Sequence, residues 1–151
     1  VAMCCEAGIE VTSLPGAAAC ITALTLSGLP TRRFAFEAFL PSDKKERAVF
    51  TGVKNETRTI ILYEAPHRLV KTLEELYAEL GDRKISLCRE LTKKHETVFR
   101  DTLSQAIAWY KENPPKGECV MVLAGRPREE LVLEERQKWE NMSLEEQPGY
   151  L

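Results

Sequence analysis

The sequence predicts an α/β domain, a layered α/β/α arrangement around a mixed, mostly five-stranded sheet. Three observations carry this. Apolar runs of strand length alternate with segments whose apolar residues recur at helical spacing. The 151 residues are 44% hydrophobic and 29% charged, the composition of a packed core at a size that buries about two thirds of the unfolded surface. Glycine or proline stands at most of the junctions between runs.

Val1 to Ala7 read as the closing turns of a helix, with Gly8 as a left-handed cap. Ile9–Leu14 then reads as a short strand. A domain that opens on a helix end reads as a piece of something longer. Pro15-Gly16 makes a tight turn into a helix over Ala17–Leu26, which is apolar nearly all round and so expected to be buried, with Gly28 ending it. Phe34–Leu40 alternates weakly and is a strand. Ser42 or Asp43 caps a charged helix through about Lys54, with Val49, Phe50 and Val53 facing inward.

Thr59–Tyr63 is apolar and β-branched, as a central strand requires. Pro66 suits the first turn of the next helix, where its missing N–H is not needed. Leu69, Leu73, Leu76 and Leu80 form the inner stripe of that helix and Gly81 ends it. Lys84–Cys88 and Glu96–Arg100 are two further strands. Thr102 and Gln105 form a capping box for a helix that turns Leu103, Ala106, Ile107 and Tyr110 inward and stops at Pro114-Pro115. Cys119–Ala124 closes the sheet. From Arg126 onward there are 4 basic and 7 acidic residues, leaving 17 and 16 upstream of totals of 21 and 23. The net charge of −2 therefore belongs to the tail, and the core is neutral.

Several function classes are excluded. No apolar run approaches the roughly 18 residues of a membrane span, and the first residues lack a signal-peptide pattern. The five cysteines (Cys4, Cys5, Cys20, Cys88, Cys119) include no CxxC pair, and there are only two histidines. Neither a zinc site nor a disulfide framework has usable spacing. Reduced thiols in apolar runs imply a reducing compartment, most simply the cytoplasm.

In layered α/β sheets ligands sit outside the carboxyl ends of strands, which singles out three junctions. Leu14-Pro15-Gly16-Ala17-Ala18-Ala19 lets either a flat ligand or the sheet itself approach closely, and it lacks the glycines of a phosphate loop. Tyr63-Glu64-Ala65-Pro66-His67-Arg68 places a carboxylate where a helix start favours it by about 0.3–1 kcal/mol. Its two cations, at a helix start, suit either an anionic partner or solvent. Arg89-Glu90-Leu91-Thr92-Lys93-Lys94-His95-Glu96 is either a loop offering lysines to phosphates or a charged hairpin. Arg32, Arg33, Lys44, Lys45 and Arg47 flank Phe34–Leu40 and form either a nucleic-acid contact or a solvated face. No general base can be named from spacing.

GIEVTSLPG, ITAL, SGLPTRRFAFEAFLP, TIILYEAPHRL, RELTKKHE and KGECVMVLAG together resemble, in that order, the ribosomal small-subunit RNA 2′-O-ribose methyltransferases. These belong to the tetrapyrrole-methylase superfamily, which uses S-adenosylmethionine. The resemblance runs through Gly125. It implies two α/β domains with the cofactor between them, of which residues 1–14 are the remnant of the first, 15–125 the second, and 126–151 an acidic tail starting a truncated extension. The implied activity is methyl transfer to a ribose 2′-hydroxyl, of a cytidine in small-subunit rRNA, by a cytoplasmic homodimer without metal; the fragment alone is expected to be inactive or nearly so. The alternatives are methylation of a corrin or porphyrin ring, or a non-catalytic RNA-binding or dimerisation module.

The resemblance places Pro15, Gly16, Ala17, Ala18, Tyr63, Glu64, Glu90, Leu91 and Thr92 against the cofactor. His67, Arg68, Lys93 and Lys94 are the expected RNA contacts. Two departures from the family pattern are Ala38, where glycine is usual, and Ala17-Ala18, where Pro-Ser or Pro-Cys is commoner.

Overall fold

A computed structural model gives the fold and describes residues 1–41 and 52–142. Five strands form one sheet in the order β1-β2-β5-β3-β4. They are β1 (Phe34–Phe39), β2 (Thr59–Glu64), β3 (Lys84–Arg89), β4 (Thr97–Thr102) and β5 (Cys119–Leu123). Only β1 and β2 are parallel; β5 runs antiparallel to both β2 and β3, and β3 antiparallel to β4. The mixed five-stranded sheet is as expected.

Strand alternation sorts the core into two layers. Ile60, Leu62, Ile85, Leu87, Cys119, Met121 and Leu123 face one side and pack under α3 (Leu69–Leu80) and α4 (Leu103–Glu112). Leu69, Leu73 and Leu76 of α3 are fully buried there, so the leucine stripe read from the sequence is the packing face. Ile61, Cys88, Val120 and Val122 face the other side, under Ala23 and Leu24 of α2 (Ala19–Leu26).

Chain ends and caps follow local chemistry. The opening helix α1 (Ala2–Glu6) closes with Gly8 at φ +67, where the Gly8 amide donates to Cys5 and the Ile9 amide to Cys4. Gly81 ends α3 at φ +77. Thr102 Oγ1 accepts from the Gln105 amide at 3.5 Å, and Asp82 completes the start of α4 by accepting from the Ser104 amide and hydroxyl at 2.9 and 2.6 Å.

Several expectations change. Ile9–Leu14 forms no strand: among the described residues nothing pairs with it, and an apolar run becomes a strand only where a neighbour takes its hydrogen bonds. Helix α2 begins at Ala19 rather than Ala17 and buries one face only, with Ile21 turned outward. Pro66–Arg68 is a 3-10 turn before α3 proper. Strand β4 is shifted one to two residues downstream of the expected Glu96–Arg100.

The tail carries an unexpected helix, α5 (Arg128–Glu140), with Glu129 and Glu130 favourably in its first turn and no buried residue. It lacked the apolar stripe that would reveal it. Arg126 tethers it through ion pairs to Glu130 (3.6 Å) and Glu134. Of the charged helix expected through Lys54, residues 52–54 are helical and bury Val53. Its start at Ser42 or Asp43, with Val49 and Phe50, lies outside the described residues.

Strand β1 contains a bulge: Phe36 pairs with Ile61 and Ala38 with Leu62, so Glu37 is the extra residue. Ala38 sits at φ +51, a backbone conformation that glycine adopts without penalty. The left-handed backbone disfavours a Cβ by about 1–2 kcal/mol, partly offset by glycine's greater unfolded-state entropy. Ala38→Gly should therefore raise the unfolding free energy by about 0.5–1 kcal/mol; a lower urea midpoint would contradict this.

Glu56 holds the approach to β2, accepting from the Arg58 amide at 2.8 Å and pairing with its guanidinium at 2.7 Å. Those bonds draw its carboxyl from 4.5 down to about 2. A lowered folded-state pKa stabilises above the unfolded value and is lost as pH falls. The Glu56 contribution should thus be present above pH 4.5 and vanish toward pH 2, and Glu56→Gln should flatten the stability profile across that window.

Candidate functional site

The strand directions bring three carboxyl ends to one edge of the sheet. Strands β1, β2 and β3 finish there, and β4 and β5 begin there. On the α2 face of this edge lies a cleft of about 380 Å³ lined by Ala19, Cys88, Glu90, Leu91, Lys93, Gly117, Glu118 and Val120.

The Arg89–Glu96 loop is the most constrained wall. Glu90 and Thr92 adopt φ +50 and +66, conformations that cost about 1–3 kcal/mol each in non-glycine residues and concentrate at functional sites. The loop is held by local bonds, with the Lys93 amide donating to Glu90 O at 3.0 Å and the Thr92 amide to Glu96 Oε1 at 3.0 Å. Arg89 fastens its base by donating to the Lys116 carbonyl at 3.2 and 2.7 Å. That pins the turn at Gly117, which lies at φ +75, a conformation side-chain-bearing residues rarely adopt, with the Glu90 carboxylate lying against its open side. Sequence reading missed Gly117 and Glu118; the Lys-Gly-Glu run before β5 was the available signal.

The expected cofactor residues divide. Glu90 and Leu91 line the cleft, with Thr92 beside them in the loop. Tyr63 shares the α2 face, and burial together with a hydrogen bond to Cys20 raises its phenol above the ordinary value. Pro15, Gly16, Ala17 and Ala18 are exposed and form neither the expected tight turn nor the start of the helix, with Ala18 extended and leading into α2 beside Ala19. Gly16 has open space on its Cβ side.

Glu64 points to the opposite face, because adjacent strand residues alternate. It is only 2% exposed, and its carboxylate accepts from the Ala65 amide at 2.8 Å and the Thr72 hydroxyl at 2.6 Å. Its place is beneath the 3-10 turn, which it fastens to α3, and not in the cleft.

The expected RNA contacts also differ. His67 is exposed and Arg68 half-buried in that turn. Lys93 pairs with Glu90 at 3.3 Å, whereas Lys94 is exposed and pairs with no other described residue. All five cysteines are free thiols. Burial raises the Cys88 thiol and pushes Cys119 up to about 11, with Arg89 opposing and Glu64 adding to the rise, so neither is a ready nucleophile. No three potential ligand side chains among the described residues are grouped to hold a metal ion. No helix there is long and apolar enough to cross a membrane.

The sequence model of the tetrapyrrole (corrin/porphyrin) methylases matches residues 1–107. The chain belongs to this family. Among curated relatives it is similar to Ribosomal RNA small subunit methyltransferase I of Synechocystis sp., 52% identical over 132 residues, covering 86% of this chain and 47% of that protein. The protein of the same name in Bacillus subtilis is 44% identical over 142 residues, covering 93% of this chain and 48% of that one. The chain thus spans about half the length of the curated relatives it matches.

Solved family structures share the fold. The methyltransferase CobJ superposes with a TM-score of 0.58 at 19% identity, covering 82% of this chain and 54% of that one. The cobalt precorrin-4 methyltransferase CbiF gives 0.55 at 15%, covering 82% and 55%. The layered sheet read from the sequence is therefore the family's architecture.

Removing the Thr72 hydroxyl tests the buried Glu64 arrangement. Thr72→Val keeps the shape but leaves Glu64 Oε2 buried without its donor, which should cost about 1–3 kcal/mol in chemical unfolding. An unchanged midpoint would mean that the carboxylate finds water instead.

Proposed function

We propose that this chain is the second-domain half of an S-adenosylmethionine-dependent enzyme that methylates a ribose 2′-hydroxyl, of a cytidine, in small-subunit rRNA. The observation that carries the reading is the 52% identity, along 86% of the chain, to a protein named for rRNA methylation. In this reading residues 1–14 close a preceding domain, 15–125 form the second, and 126–151 begin a further extension. A cytoplasmic homodimer that needs no metal belongs to the same proposal.

The cleft fits the cofactor's chemistry. Ala19, Leu91 and Val120 present apolar surface for a flat adenine, while Glu90 and Glu118 offer acceptors for hydroxyl and amino donors. The resemblance adds Pro15–Ala18, Tyr63 and Thr92 to this wall. When bound, S-adenosylmethionine supplies an electrophilic methyl group on a sulfonium. The chain's own task is to hold both reactants so that the displacement runs in line, which is worth many orders of magnitude in effective concentration.

The strained Glu90–Thr92 loop, clamped by Arg89 and Gly117, is pre-organised for that task. Lys94, His67 and Arg68 lie on segments leaving the same end of the sheet, where cations meet phosphates; Lys93 is partly neutralised by Glu90. Glu64 acts through the turn that carries His67 and Arg68.

The test is methyl transfer by the whole protein to small subunits from a strain lacking the modification, read by nucleoside mass spectrometry. A 2′-O-methylcytidine product is expected. Turnover of a corrin or porphyrin without rRNA product would replace this reading with the tetrapyrrole one.

A further inference from the structure

Edge strand β1 exposes two large aromatic side chains, Phe36 at 47% and Phe39 at 54%. Both rings stand edge-on to Tyr63, with centroids 5.1 and 5.7 Å away. They share the α2 face because of the bulge at Glu37. A regular strand would alternate strictly after Phe36, turning Phe39 inward and Leu40 outward. The bulge does the reverse: Leu40 is buried and the larger Phe39 is left in water. Ala38 holds the kink at φ +51, a conformation that a Cβ disfavours. The bulge buries Leu40 in the core at the expense of the larger Phe39, and the backbone is strained to make it. Strain that presents aromatic rings to solvent points to a ligand for those rings.

The surroundings define that ligand's chemistry. Arg32 and Arg33 immediately precede the strand, are exposed, and pair with no other described residue. The strand's one acid, Glu37, lies in the field of Arg58. Lys44, Lys45 and Arg47 follow in the sequence, outside the described residues. Exposed aromatic rings flanked by guanidinium groups suit unpaired bases and their phosphates. Phe39 pairs with Tyr63, so these rings stand at the edge of the sheet that carries the cleft.

We propose that Phe36 and Phe39 are a stacking platform for unpaired bases of the RNA substrate, with Arg32 and Arg33 on the adjoining phosphates. The platform rests on the RNA methyltransferase reading above and assigns that substrate a binding surface.

Fluorescence anisotropy of a labelled cytidine-rich single-stranded RNA, titrated with the whole protein, tests it. Phe36→Ala and Phe39→Ala should each weaken binding by about 5- to 150-fold at fixed salt and leave the salt slope unchanged. Both side chains are exposed, so circular dichroism should show the fold intact. Phe39→Tyr should keep wild-type affinity, whereas Phe39→Leu, apolar but without a π face, should not. Arg32→Ala should lower the magnitude of the log–log salt slope by about 0.7. RNA binding that is indifferent to the Phe variants overturns the platform and leaves the RNA reading standing. Full affinity in Phe39→Leu also overturns it, as an apolar surface for another part of the protein. A wild-type whole protein that binds no RNA at low salt brings down both.

Discussion

Strand β5 is the constraint on which the structure depends. All five of its residues are buried, and it pairs on one side with β2 and on the other with β3. Cys119, Met121 and Leu123 anchor the layer under α3 and α4, while Val120 and Val122 anchor the layer under α2. A one-residue slip would send each set to the wrong layer. Both helical layers and both flanking strand pairs therefore depend on a single register.

The same strand places the candidate site. Because β5 runs against both neighbours, the carboxyl ends of β2 and β3 arrive together beside its first residue. The turn at Gly117 comes up against the Glu90 carboxylate there, and Arg89 ties that turn down. Two left-handed non-glycine residues in the facing loop and a third at Ala38 show strain gathered at one end of an otherwise regular sheet. Such strain persists only where surrounding structure over-determines it, and here the surroundings are the paired strands themselves.

The sheet was largely legible because its signals are local. Buried strands are short apolar runs, and the stripe Leu69, Leu73, Leu76 and Leu80 has one periodicity. Ile9–Leu14 failed because pairing is a property of two segments and the run shows only one. Helix α5 failed for the opposite reason: it is held by charge near Arg126 and has no apolar face to announce it. At the site, segments were easier to find than orientations. Tyr63 and Glu64 are neighbours in sequence and face opposite layers, so only one of them joins the α2 face. Gly117 had a local signal in the Lys-Gly-Glu run, but its role beside Glu90, 27 residues away, shows only in the fold.

We propose that the methyl donor binds where the Glu90–Thr92 loop meets Gly117, on the α2 face. Hydrogen exchange on the whole protein, with and without S-adenosylhomocysteine, addresses it directly. Slowed exchange is expected in residues 89–93 and 117–120 and at the start of α2, with α3 and α4 unchanged. Protection confined to the α3 and α4 layer, or to segments remote from Gly117, would contradict it.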